Sequence, residues 1–144
     1  MGAIYGVVVH ATRSGTPNNP TEGIGTVNYC LTPGTASYHY VIDTDGTVYE
    51  LVPPGLAAWH ATYLNWSHLG IAVAQGTIDD PVTDAQHASL EWLLRKEAAE
   101  YGFPYRRAVD EAQTGIIQHA DTAQGRTFGK TDVGPQLDWA KLGL

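Results

Sequence analysis

Three residues in this sequence combine donor chemistry with positions that could bring them together. His10 ends the apolar run Ile4 to His10, His119 ends the short apolar run that opens at Gly115, and Asp132 lies in the Gly- and Thr-rich loop that follows, GKTDVGP. A histidine at a strand end is held rigidly, and a carboxylate returned by the next loop can approach it from another direction, as tetrahedral zinc coordination requires. If the two strands are neighbours in one sheet, their imidazoles share an edge, and a His-His-carboxylate set leaves one coordination position open. That is the catalytic pattern for zinc, in which the cation lowers the pKa of a water to about 7 and polarises a carbonyl oxygen. Amide or ester hydrolysis is the expected chemistry. On the Gly115 to Pro135 segment alone, His119 also reads as a satisfied structural histidine and Asp132 as a turn residue before Gly134-Pro135, and both readings stand.

A second concentration of chemistry lies between Leu56 and Leu69, where Trp59, His60, Tyr63, Trp66 and His68 crowd one loop. Aromatic, small and polar residues together can be ordinary packing, and they are also what a sugar- or peptide-binding wall is made from. His87, one turn before Leu90 and Glu91, reads as structural.

The elements that must position these residues follow from periodicity. The valine-rich run Ile4 to His10 has the pattern of a strand buried on both faces. Ser14 to Gly25 reads as a long surface loop and Gly25 to Leu31 as a short helix or turn. Ser37 to Ile42 and Thr47 to Val52 flank Asp43-Thr44-Asp45-Gly46, a hairpin signal, with Tyr38, Tyr40 and Ile42 on one face and His39 and Val41 on the other. Gly70 to Gln75 is another buried strand. Thr83 and Gln86 fit a capping box that opens a helix running to Tyr101 and stopped by Gly102, its stripe formed by Leu90, Leu93, Leu94, Ala98 and Tyr101. Pro104 to Thr114 is a connector, Gly115 to Gln118 a strand, and Gln136 to Leu144 a short amphipathic helix anchored by Leu137 and Trp139. The expected fold is α/β: a single domain over residues 1–144 with a mixed central β-sheet flanked by α-helices.

Composition narrows the partners. The chain has 144 residues, 43% of them apolar and 16% charged, enough for one core without a staple. A net charge of -7 with eight scattered basic residues argues against nucleic acid and gives no pull toward anionic membranes. The N-terminus has neither a basic n-region nor an apolar h-region, and no stretch approaches the roughly 20 apolar residues of a membrane span. The lone Cys30 excludes an intrachain disulfide and reads as a small buried hydrophobe. A monomer is expected.

The ordered blocks VVVHAT, SYHYVIDTDGTVYELVP, AAWHA, LGIAV, IIQHAD and GKTDVGPQLDW resemble the zinc-dependent N-acetylmuramoyl-L-alanine amidases, a group that includes phage amidase-type lysozymes and is similar to the peptidoglycan recognition proteins. The resemblance spans Val7 to Trp139. It implies Zn2+ as cofactor, His10, His119 and Asp132 as its ligands, Tyr38 and Lys130 as catalytic residues, and His60, Trp59 and Asn65 as substrate-groove residues. It further implies hydrolysis of the amide between N-acetylmuramic acid and L-alanine of bacterial peptidoglycan, by a phage or bacterial lysin module acting from the host cytoplasm on the cell wall if of phage origin. A non-catalytic peptidoglycan-binding module and an intracellular muropeptide-recycling amidase are the alternatives. Retention of three ligand candidates favours the enzyme over the binding module.

Two positions depart from the family pattern. Many relatives carry a glutamate, proposed as general base, where this chain has Ala72, and the family's usual proline after the carboxylate ligand is here Val133. An alanine cannot move a proton. Loss of the proline is expected to loosen the ligand loop slightly.

Overall fold

A computed structural model describes residues 1–144. Strands β1 (Gly6–Ala11), β2 (Tyr40–Ile42), β3 (Val48–Glu50), β4 (His68–Val73) and β5 (Gly115–Gln118) form one sheet in the order β3-β2-β4-β1-β5. Only the β2–β3 hairpin is antiparallel; β2, β4, β1 and β5 run parallel, so the sheet is mixed, as the chain order implies. Helices α1 (Glu22–Cys30), α2 (Asp84–Tyr101) and α3 (Ala123–Thr127) flank it, with 3-10 turns at Thr62–Trp66, His119–Asp121 and Trp139–Leu142.

Period-2 alternation along β1 divides the interior. Val7, Val9 and Ala11 point into the main core with Leu69, Ile71, Val73, Leu90, Leu93 and Leu94 from β4 and α2. Val8 points the other way, against Ala61, Leu64, Ala108 and Ile117. His10 follows Val8 in phase, so the site forms on the face that α1 and the 56–66 loop cover.

Helix α2 begins as its sequence demands. The Thr83 side chain accepts the Gln86 N–H, the Gln86 side chain accepts the Thr83 N–H, and Gly102 closes the helix in the left-handed conformation. Gln86 also spans to the sheet, donating to the carbonyls of Ala74 and Ile42. Tyr101 stands 37% exposed at the helix end, outside the expected stripe.

Four expectations are corrected. Helix α1 starts at Glu22, inside the stretch read as loop, because the buried Glu22 carboxylate gathers Thr12, Ser14 and Asn19 around the helix start. Strand β2 begins only at Tyr40, so the alternation does not reach Tyr38; Tyr40 faces the main core while Tyr38 packs with Val27, Val41 and Ala72 on the site face. Cys30 is half-buried at the end of α1, not enclosed. The C-terminal helix shortens to one 3-10 turn, fixed by Arg107 stacked 3.7 Å over the Trp139 ring, by the Asp138 N–H donated to His87 Nε2 and by Lys141 paired with Asp84. No helix is long and apolar enough to cross a membrane.

Candidate metal centre and catalytic cleft

Parallel pairing of β1 with β5 matches Val8 to Ile117 and Val9 to Gln118. One step further along both strands stand His10 and His119, whose ring centres are 4.5 Å apart. Asp132 closes the triangle: its Oδ1 is 3.1 Å from His119 Nδ1 and its Oδ2 3.6 Å from His10 Nδ1. The three donor atoms lie within 4.8 Å of one another and all three residues are buried. His10 comes from one end of the chain and His119 and Asp132 from the Gly115 to Pro135 segment, and the fold brings them to one point.

The loop bearing Asp132 is tied on every side. The Asp132 carbonyl accepts the Ala120 N–H, its Oδ2 accepts the Ala11 N–H, and the Val133 N–H donates to Gln118 Oε1. Arg13 donates to the Val133 carbonyl and to Thr131 Oγ1, and Val133 itself is fully buried in the main core. These contacts tie the loop to β1 and β5 at the position where the family's usual proline is absent. The Asp132–Val133 peptide is cis.

Hydrogen bonds on the far side of each imidazole decide which nitrogen faces the cluster. A carbonyl oxygen only accepts, so His60 Nε2–H donates to the His68 carbonyl at 3.2 Å, leaving His60 Nδ1 bare. That nitrogen accepts from His10 Nε2–H at 3.0 Å, which leaves the His10 Nδ1 lone pair aimed at the cluster. His119 Nε2–H donates to Gln124 Oε1 at 2.5 Å, with the same consequence for its Nδ1. Burial, above all, lowers the His10 pKa, and burial together with the closeness of the His10 and His39 imidazoles holds His60 well below its ordinary value, so both rings are neutral at neutral pH. Burial alone would raise the Asp132 carboxyl; the two imidazoles beside it act the other way and the net shift is downward, so the group is ionised at neutral pH. Two bare imidazole nitrogens and one carboxylate facing a common point are the donor set of a divalent cation, and zinc fits it.

Tyr38 and Lys130 line the cleft above these donors, together with Ala11, Thr12, Arg13, Gly129, Thr131 and Asp132. The Tyr38 ring centre is 5.1 Å from that of His10, and its hydroxyl is raised, by burial first and then by the Asp132 charge, so it stays protonated and can donate. Lys130 is exposed, and none of the chain's ion pairs uses its ammonium. The cleft continues past His119, Lys130 and Gln124 to Trp59, His60, Thr62 and Asn65. Of the expected groove residues, Trp59 is 53% exposed and packs edge-on against Trp66. His60 lines the cleft with both ring nitrogens committed, Nδ1 to His10 and Nε2 to the His68 carbonyl, so it also orients His10. Asn65 Oδ1 accepts the N–H groups of His60 and Ala61, which assigns it to loop geometry and leaves only its Nδ2 free of protein partners.

Gln124 was not legible in the sequence. Its only signal is its place one turn after His119, in a helix whose start is capped by Thr122. Gly125 permits that packing: a Cβ there would lie 1.9 Å from the His119 carbonyl oxygen. Asp121 and Arg126 take structural roles, Asp121 with Arg107 and Gln118, Arg126 with Asp110 and the Val109 carbonyl. Ala72 is the register partner of His10, fully buried, and its methyl group offers the site no proton-transfer group.

The chain is similar to known proteins in sequence and in fold. The AmpD protein of Salmonella typhimurium strain SL1344, a 1,6-anhydro-N-acetylmuramyl-L-alanine amidase, is 33% identical over 114 residues, covering 74% of this chain and 54% of the relative. The chain thus spans about half the length of the curated relatives it matches. A crystal structure of a selenomethionine AmpD derivative superposes with a TM-score of 0.72 at 26% identity, covering 99% of this chain and 84% of that one. The Drosophila peptidoglycan recognition protein SA has the same fold at a TM-score of 0.58 and 23% identity, covering 79% of this chain and 66% of that one. The family model for N-acetylmuramoyl-L-alanine amidase matches residues 1–135, and the chain belongs to that family.

Proposed function

We propose that this chain hydrolyses the amide bond between N-acetylmuramic acid and L-alanine in peptidoglycan, with Zn2+ held by His10, His119 and Asp132. The observation that carries this reading is the convergence of the three donor atoms beneath a cleft lined by Tyr38 and Lys130. Zinc bound there would supply Lewis-acid polarisation of the carbonyl and acidify a water. The protonated Tyr38 hydroxyl and the Lys130 ammonium donate to the carbonyl oxygen as it gains negative charge. Water adds its oxygen to the carbonyl carbon, the C–N bond breaks, and a proton from that water passes to the departing L-alanine nitrogen. With alanine at position 72, Tyr38 and Lys130 can serve only as relays, giving their own proton to the departing nitrogen and regaining one from the water. All three donors come from one chain, so the site needs no partner subunit.

Two settings are proposed for this chemistry. The lysin reading, action on the intact wall, is favoured by Ala72, since recycling relatives often carry the glutamate. The recycling reading, action on soluble anhydro-muropeptides, is favoured by the names of the curated relatives. Digesting intact sacculi and soluble anhydro-muropeptides in parallel separates them: the lysin reading expects release of stem peptides from sacculi, lost in His10→Ala and His119→Ala. A protein with a full zinc site that releases no peptide from either substrate is a binding module.

A further inference from the structure

Two tracks lead away from the metal cleft. One, about 560 Å³, lies along α1 and is lined by Thr12, Ser14, Glu22, Tyr29 and Tyr38. Its carboxylate is already consumed: Glu22 accepts from the Thr12 hydroxyl, the Ser14 N–H and hydroxyl, and the Asn19 amide, so it staples the loop and offers nothing to a ligand. The other track, about 220 Å³, runs between Tyr63 and Phe128 and shares Ala61, Thr62 and Gln124 with the catalytic cleft.

The second track has the unexplained chemistry. Tyr63 is 84% exposed and Phe128 69% exposed, two aromatic rings left in water beside the site. Burying either would be favourable, and the surrounding structure prevents it. Ala61 and Leu64, the neighbours of the Thr62–Tyr63 pair, are buried against Val8 and Ile117, and Asn65 clamps the loop through the His60 and Ala61 N–H groups. Thr62 is held at φ +55°, a region a β-branched residue rarely adopts, and this presents Tyr63 outward. Across the groove, Phe128 ends α3, whose start is fixed by Thr122 and by the Ala123 N–H donated to Glu111.

A ligand for this groove needs apolar faces to lie against the rings and hydroxyls for Thr62, Thr127 and the second oxygen of Glu111. Glu111 is the only charged residue lining the groove, so an anionic peptide is repelled and a neutral ligand is not. A pyranose ring has both properties, with C–H groups on its faces and hydroxyls on its rim. We propose that the Tyr63–Phe128 groove is a saccharide subsite that takes the sugar next to the reacting muramic acid on the glycan strand. This rests on the amidase reading above, in which the muramic acid sits in the cleft from which this groove opens.

The test compares Tyr63→Ala, Phe128→Ala and the double variant on two substrates: glycan strands bearing stem peptides, and an N-acetylmuramoyl-peptide with no flanking sugar. The double variant should lose about tenfold more kcat/KM on strands than on the short substrate, as two stacking contacts would give. Trp92→Ala, an exposed aromatic of α2 that lines no cleft, should change neither. Equal loss on both substrates, or no loss on either, overturns the subsite. A second arm measures binding of peptide-stripped glycan strands to metal-free protein, where the double variant should bind about tenfold more weakly. Equal binding by wild type and double variant overturns the subsite whatever hydrolysis shows. Wild type that binds strands through the groove and cuts neither substrate overturns the hydrolytic reading and leaves the subsite standing.

Discussion

His10 Nε2 lies 3.0 Å from His60 Nδ1, and this contact between two buried imidazoles fixes which nitrogen of His10 is free for a metal. Removing it should cost the metal before it costs the fold. His60→Phe is expected to weaken zinc binding 10- to 100-fold, about the effect of losing an outer hydrogen-bond partner. Gln124→Leu should act similarly through His119. Competition with a chromophoric chelator measures both, and unchanged zinc affinity in a folded His60→Phe protein would contradict the assigned role.

Lys130 and Tyr38 face the cleft without holding the metal. Lys130→Ala should lower kcat about 10²- to 10³-fold, the usual loss of a donor to a developing oxyanion, with zinc content per chain intact. Tyr38→Phe should act in the same direction. Metal analysis alongside turnover distinguishes this from a ligand variant such as His119→Ala, in which zinc is lost as well.

Position 72 offers a sharper test of packing against chemistry. Ala72 is fully buried between Val27 and Val41, beside His10 in the sheet register. Ala72→Glu restores the residue many relatives carry, in a space this chain has filled. The substitution should destabilise by about 1–3 kcal/mol through overpacking and a buried carboxyl. Urea unfolding reads that loss; a variant as stable as wild type would show that the site face has room for a base.

Acid should unfold the protein partly through His68. Its ring is buried, with Nδ1 on the Ser67 hydroxyl and Nε2 without a partner, and burial lowers its pKa to about 4. Above about pH 6.5 the ring is neutral in folded and unfolded chains alike. As pH falls from there toward 4, the unfolded chain takes up a proton that the folded chain refuses, so stability falls, by up to roughly 3 kcal/mol from this residue. His68→Phe should flatten the slope of unfolding free energy between pH 6.5 and 4, and an unchanged slope would show that His68 is not the group responsible.

The two strands were readable because β1 and β5 are short apolar runs with a histidine at or just past the end, and the capping box and Gly102 framed α2 directly. The phase of Tyr38 was not, because alternation holds only inside a paired strand and β2 starts two residues later. Nor was the start of α1, where a buried carboxylate, Glu22, organises a stretch whose Gly, Pro and Asn content signals a loop. The roles of His60, Asn65 and Gln124 depend on partners brought near by the fold, and no local pattern announces them. His39 shows the same limit. Its Nδ1 accepts the Gly70 N–H and its Nε2 reaches the Leu56 carbonyl, joining two segments that only the tertiary structure makes neighbours.

The most direct measurement pairs metal analysis of the purified protein with mass spectrometry of the peptidoglycan fragments it releases. The expected result is one zinc per chain and free stem peptides that begin with the L-alanine amino group, both abolished in His10→Ala. One zinc per chain with cleavage at any other bond, or stem-peptide release undiminished in His10→Ala, would contradict it.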